Sequence, residues 1–143
     1  LGAIVFLAAG ILLAGWWSDL TSPRHVLLAG CFGSIAVGAI MGPVMGGGSL
    51  IEIWAWLSAA LFMMGFVYGP LGAFLPGLFP PRVRYSGASI AFNVGGILGG
   101  GLAPIVAQAL AAKGGLTPVG WYLALAAAVS FVAIAPLKGK AAE

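Results

Sequence analysis

Charged side chains are so sparse along this chain that they divide it without further help. They stand at Asp19, Arg24, Glu52, Arg82, Arg84, Lys113, Lys138, Lys140 and Glu143. The stretches between them are almost wholly apolar and show no period-two alternation. Each is long enough to cross a hydrocarbon layer of roughly 30 Å as a helix of about 20 residues. Five such spans fit, near 1 to 17, 26 to 45, 53 to 76, 87 to 111 and 118 to 136. An unpaired backbone amide in lipid costs several kcal/mol, so only helices or a closed barrel can span. The missing alternation excludes the barrel. The pattern predicts an all-α membrane protein of five transmembrane helices with short connections.

Two spans carry internal punctuation. "YGPLGAFLPG" in the third places Pro70 and Pro76 where their missing amide hydrogens weaken the helical ladder, so this helix should bend readily. In the fourth, Gly95 and Gly99, and likewise Gly96 and Gly100, repeat every four residues and present a face for close helix packing. Ser89, Asn93, Gly96, Gly100, Pro104 and Gln108 follow one another along a single stripe, because steps of three and four return to the same side of a helix.

Composition agrees: 62% of the residues are hydrophobic and 6% charged, far outside the soluble range. The net charge of +3 is a matter of topology. With loops assigned alternately to two sides, Arg24, Arg82, Arg84, Lys138 and Lys140 share one face, while Lys113 and Glu52 lie on the other. The positive-inside rule makes the first face cytoplasmic, which puts the C-terminus inside and the protein in the cell inner (plasma) membrane. Trp54, Trp56, Trp121 and Tyr122 then mark the outer boundary, and Trp16 and Trp17 the inner one. The basic residues form no run with interleaved aromatics, so no nucleic-acid partner is expected.

Catalytic chemistry has little to work with. The chain holds one His and one Cys, no GxxxxGK[ST] and no HExxH, which points away from an enzyme and from any cofactor or metal. Cys31, being alone, forms no internal disulfide. An apolar span that starts at Leu1, without an initiator Met, leads to the expectation that the chain is a piece of something longer.

"GWWSDLTSPR" (15 to 24) resembles the loop signature of the major facilitator superfamily, roughly G-x-x-S-D-R-x-G-R-R, and keeps Gly15, Ser18, Asp19 and Arg24. "YGPLGAFLPGLFPPRVRYSGASIAFNVGGILGGGLAPIVAQAL" (68 to 110) is similar to helices ten and eleven of the metabolite:proton symporter branch, which contains shikimate, proline or betaine, and dicarboxylate carriers. The resemblance implies that residues 1 to 143 are a partial C-terminal helical half, equivalent to helices eight to twelve of a twelve-helix fold. It implies a fragment of a proton-coupled symporter that moves a small organic acid or zwitterionic metabolite by alternating access. Its partners would be that small molecule, protons, the lipid bilayer and the missing N-terminal half. A complete five-span structural or assembly subunit is the alternative of another class, and a drug exporter of the same fold is disfavoured by the match around Arg82 to Pro104.

Within that frame Asp19, Arg24, Arg82 and Arg84 are the expected gating residues. Asn93, then Tyr68 and Gln108, are the expected substrate-binding side chains, because each is a hydrogen-bonding group in a span nearly devoid of them. No carboxylate lies in mid-span, so the proton-carrying acid belongs to the missing part. The chain also departs from the family: Leu20 replaces an Arg and Gly77 an acidic residue, a paired loss that avoids leaving one charge without its partner. Pro23 replaces a further Arg.

The orientation is testable directly. A cysteine placed at Lys113 should react with a membrane-impermeant reagent in intact cells, whereas a cysteine in the tail "KGKAAE" should not; the reverse result would invert the topology.

Overall fold

A computed structural model describes residues 1–137, and every regular element among them is helical. In chain order these are α1 (Gly2–Leu20), α2 (Pro23–Ala39), α3 (Met41–Met45), α4 (Leu50–Gly77), α5 (Arg84–Gly96), a π-helical turn (Ile97–Leu102), α6 (Ala103–Gly114) and α7 (Leu116–Ile134). The turn joins α5 and α6 into one rod, Arg84–Gly114. Four helices are long and apolar enough to cross a membrane: Gly2–Leu20, Leu50–Gly77, Arg84–Gly114 and Leu116–Ile134. The tail with Lys138, Lys140 and Glu143 lies outside the described residues.

The fifth expected span, 26 to 45, is divided. Pro43 has no amide hydrogen for the carbonyl of Ala39, four residues back, and its ring crowds that carbonyl. The helix stops there, at Ile40, and resumes as α3, where Val44 N–H again donates to Ile40 at 3.1 Å. At 17 residues α2 reaches about 26 Å, short of the hydrocarbon thickness on its own.

Other boundaries have equally local causes. Thr21 ends α1 by turning both its N–H (3.0 Å) and its hydroxyl (2.9 Å) onto the carbonyl of Trp17. Pro23 opens α2, where its fixed φ suits the first helical turn. Gly48 (φ 71) and Gly115 (φ 74) take the left-handed region at the two tight corners before α4 and α7. Pro136, with no hydrogen for the Val132 carbonyl, stands just beyond the end of α7.

Contacts give the running directions. Phe6 packs edge-on against Trp54 at 5.8 Å and Trp17 against Phe66 at 5.7 Å, so α1 and α4 run parallel. Their seam is made of small residues. Ala3, Gly10, Ala14 and Ser18 are buried on α1, and a Cβ added to Gly69 of α4 would stand 2.8 Å from the Ile11 carbonyl and 3.3 Å from the Gly15 nitrogen. Gly65 and Gly69 are thus a four-residue small-residue repeat in actual use. Gly30 meets Val67, and Val37 meets Trp56, so α2 runs antiparallel to α4. Gly38 lies against the Gly120 carbonyl at one end of the α2–α7 pair, while Arg24 donates to the Ala135 carbonyl at the other. The chain therefore alternates up and down. Asp19, Arg24, Arg82 and Arg84 fall at one end, and Glu52 and Lys113 at the other.

Trp56 corrects the boundary expected for it. Its ring is buried among Val37, Met41 and Met63, and its indole N–H donates to the Val37 carbonyl at 3.0 Å. Val37 lies in the last turn of α2, whose carbonyls have no helical donors ahead of them. The indole fills that vacancy, a better use of a buried N–H than an interfacial position. Trp54 and Trp121 remain exposed.

The rod is the peripheral element. None of its residues is buried, and it touches α4 through α5 and α7 through α6.

The seam yields a stability prediction for the full-length protein. Gly69→Val pushes atoms into the backbone of α1, which cannot yield as a side chain would, and should destabilise by about 1–3 kcal/mol. Gly72→Ala, which meets nothing within 4 Å, should not. Equal thermal unfolding of the two variants in detergent would remove the seam from the account.

Candidate functional site

An open cleft of about 630 Å³ lies between α4 and the rod. Tyr68, Leu71 and Leu75 form one wall, and Phe92 with Gly95, Gly96, Gly99 and Gly100 the other. A second compartment of about 390 Å³ continues it past Gly72, Pro76 and Ala88. Tyr68 also borders a cleft of about 500 Å³ among α2, α4 and α7, whose wall includes Leu27 and Cys31. One phenol therefore stands where three spaces meet, and Leu71 accompanies it in all three.

The walls owe their form to helix chemistry. Tyr68 precedes Pro70 by two residues on α4, and Pro70 is fully buried, so its ring packs inward while Tyr68 remains half-exposed toward the cleft. The helix continues through both prolines, but Pro70 offers no N–H to Phe66 and Pro76 none to Gly72. On the opposite wall the glycines lay bare the backbone at the end of α5 and in the π-turn: a Cβ built at Gly95, Gly96, Gly99 or Gly100 meets nothing within 4 Å. The wider turn lies directly ahead of Pro104, where the ladder lacks a donor.

The expected binding residues are only partly brought together. Tyr68 lies in the cleft wall. Asn93 stands on the rod beside the lining positions, and its amide nitrogen donates to its own helix, to the Ser89 carbonyl at 2.8 Å and the Ser89 hydroxyl at 3.4 Å. Gln108 is exposed on α6, eight residues beyond Gly100 and so about 12 Å farther along the axis. The four glycines expected to pack a helix face have no partner for that face among the described residues. Sequence reasoning passed over the packing pair that is occupied, Gly65 and Gly69, although it has the same spacing. It also passed over Gly72, whose signal was the proline four residues later.

The expected gating residues cluster at one end of the bundle. Asp19 ends α1 and is exposed, as is Arg82 in the α4–α5 connection; Arg84 opens α5 half-buried, with Nε enclosed and unpartnered among the described residues. Arg24 is held within this chain, its guanidinium on the Ala135 carbonyl at the C-terminal end of α7, where the helix dipole favours a cation. Leu20 and Gly77 close the parallel helices α1 and α4 at the same end. Among the described residues no group of three His, Cys, Asp or Glu is placed to hold a metal ion. The cleft thus offers a phenol, aromatic faces and backbone polar groups to a small molecule, with no nucleophile and base in place.

Comparison with known proteins adds the relationship. No protein-family model matches the chain, and no solved structure matches it with significance. The inner membrane metabolite transport protein YhjE of Escherichia coli is 46% identical over 92 residues, 64% of this chain and 21% of that protein. A Haemophilus influenzae protein assigned to metabolite transport is 34% identical over 134 residues, 94% of this chain and 30% of its own length. The alpha-ketoglutarate permease of Escherichia coli is 31% identical over 123 residues, 84% of this chain and 28% of the permease. The chain spans less than a third of the length of each of these relatives. Four apolar spanning helices, the alternating bundle and these similarities lead to one conclusion: the chain belongs to the metabolite transport proteins of the major facilitator superfamily, matching a C-terminal part of them.

Proposed function

We propose that the chain forms five of the six helices of the C-terminal half of a proton-coupled secondary transporter, carrying a small organic acid or zwitterionic metabolite by alternating access. Residues 23–45 act as the fifth crossing, broken at Ile40. The end that bears Arg24, Arg82 and Arg84 faces the cytoplasm, as the positive-inside rule requires. The observation that carries this reading is the cleft at Tyr68, walled on two sides by α4 and the rod and lined without a single charge. Such a cleft is one wall of a site, and its other walls come from the rest of a longer protein, in keeping with relatives more than three times as long. The proton-carrying acid belongs to that remainder as well, since the described spans carry no carboxylate at mid-depth.

Asp19, Arg82 and Arg84 act in this reading at the cytoplasmic gate, where the halves meet in the outward-open state. Tyr68 contacts substrate from α4. Asn93 contacts it from the rod through its carbonyl oxygen, while its nitrogen stays on Ser89. The bare glycine face from Gly95 to Gly100 forms the rod's wall of that cleft.

Uptake by the full-length protein tests the assignment. Organic acids or zwitterions should accumulate in cells, and a protonophore should abolish the accumulation. Tyr68→Phe and Asn93→Ala should each raise the apparent substrate constant several-fold, as the loss of a hydrogen bond of about 0.5–1.5 kcal/mol requires, with ordinary amounts of folded protein. Accumulation indifferent to the protonophore would remove proton coupling, and lost yield with an ordinary constant would make Asn93 a packing residue.

A further inference from the structure

We propose that the cleft between α4 and the rod seats the cationic, N–H-bearing end of the ligand, a protonated amine held by backbone carbonyls and aromatic faces. This rests on the transporter reading above and narrows it from acids in general to zwitterions and amines.

The acceptors come from two prolines. Pro76 has no hydrogen to give the carbonyl of Gly72, and Gly72 lies in the cleft wall with open space around it. Pro104 fails in the same way on the facing wall. In α-helical register it would serve Gly100, and in the π register of the preceding turn Gly99; both residues line the cleft. Glycine leaves these carbonyls without a side chain to screen them. A polar backbone group freed at membrane depth is tolerated where it lines a cavity, and carbonyls of interrupted helices hold cations in transporters of other folds.

The aromatic rings point to the same ligand chemistry independently. Tyr68 and Phe92 border both compartments of the cleft, so a cation placed there lies beside two π faces. No Arg, Lys or His lines either compartment, which leaves a carboxylate with no counter-ion and a protonated amine with no repulsion. The carboxylate of a zwitterion is therefore bound outside this cleft, by groups on the remaining part of the protein. Loss of a proton from the amine would remove one donor, the charge that strengthens the others and the cation–π attraction.

The test uses full-length protein carrying Cys31→Ala and Leu75→Cys, a wall position of both compartments, in membranes with a water-soluble cationic thiol reagent. L-proline and cyclopentanecarboxylate, the same ring without an N–H, serve as protecting probes. Position 75 should react, and L-proline should protect it while cyclopentanecarboxylate protects at least about tenfold more weakly, the ratio that charge-assisted hydrogen bonds produce. Pro76→Ala and Pro104→Ala each return a hydrogen to the ladder and should weaken protection by L-proline without lowering the yield of folded protein. An unreactive position 75 would mean that another helix or lipid fills the cleft. Equal behaviour of the two probes, or protection untouched by both proline replacements, would equally overturn the proposal. Because protection needs no turnover, its failure is distinguishable from failure of the transporter reading, which would show as absent uptake of every solute offered.

Discussion

A backbone carbonyl in an apolar surrounding must find a donor, and five prolines along these helices withhold one. That shortage decides the form of the molecule. At Pro43 the helix gives way and α2 ends at Ala39. At Pro104 it widens into the turn Ile97–Leu102, and at Pro136 α7 is already finished. At Pro70 and Pro76 the helix holds, because α4 is gripped along its length by α1 and α2, and the unserved carbonyls remain inside it. Helix ends near two of these breaks receive side-chain donors: Trp56 serves α2 at Val37, and Arg24 serves the end of α7 at Ala135. The carbonyls of Gly72 and Gly100 belong to residues that line a cleft.

The spanning segments were legible in the sequence because each is a long apolar run bounded by charges, and lipid leaves such a run only one way to satisfy its backbone. Residues 53 to 76 and Leu50–Gly77 differ only at the ends. The break at Ile40 was less legible. Pro43 stands near the end of an apolar run, where the run's length conceals the interruption. Trp56 was assigned by its type to a boundary, and only the meeting of α2 and α4 shows that a vacant carbonyl lies within reach of its indole.

The candidate site was legible in part, for a different reason. Glycine spacing is the same at Gly65 and Gly69 as at Gly95 and Gly99, yet the first pair is pressed against α1 and the second faces open space. Spacing tells which face is small and leaves open which neighbour arrives. Tyr68 was visible as a polar group within a span and does stand in the cleft wall, whereas Asn93, selected on the same ground, spends its nitrogen on Ser89. A side chain able to reach its own helix has two uses, and composition does not choose between them.

The account joins packing to function through the unserved carbonyls, and these can be observed. Isotope-edited infrared spectroscopy of the full-length protein in bilayers, with 13C=18O labels at Gly72, Gly100 and the mid-helix reference Ala59, reads the hydrogen bonding of each carbonyl by its amide I frequency. The account predicts that Gly72 and Gly100 absorb at higher frequency than Ala59, as free or weakly bonded carbonyls do, and that Pro76→Ala brings Gly72 down to the reference value. Identical frequencies at all three positions would mean that the ladder is complete across both prolines, and would contradict the account at its root.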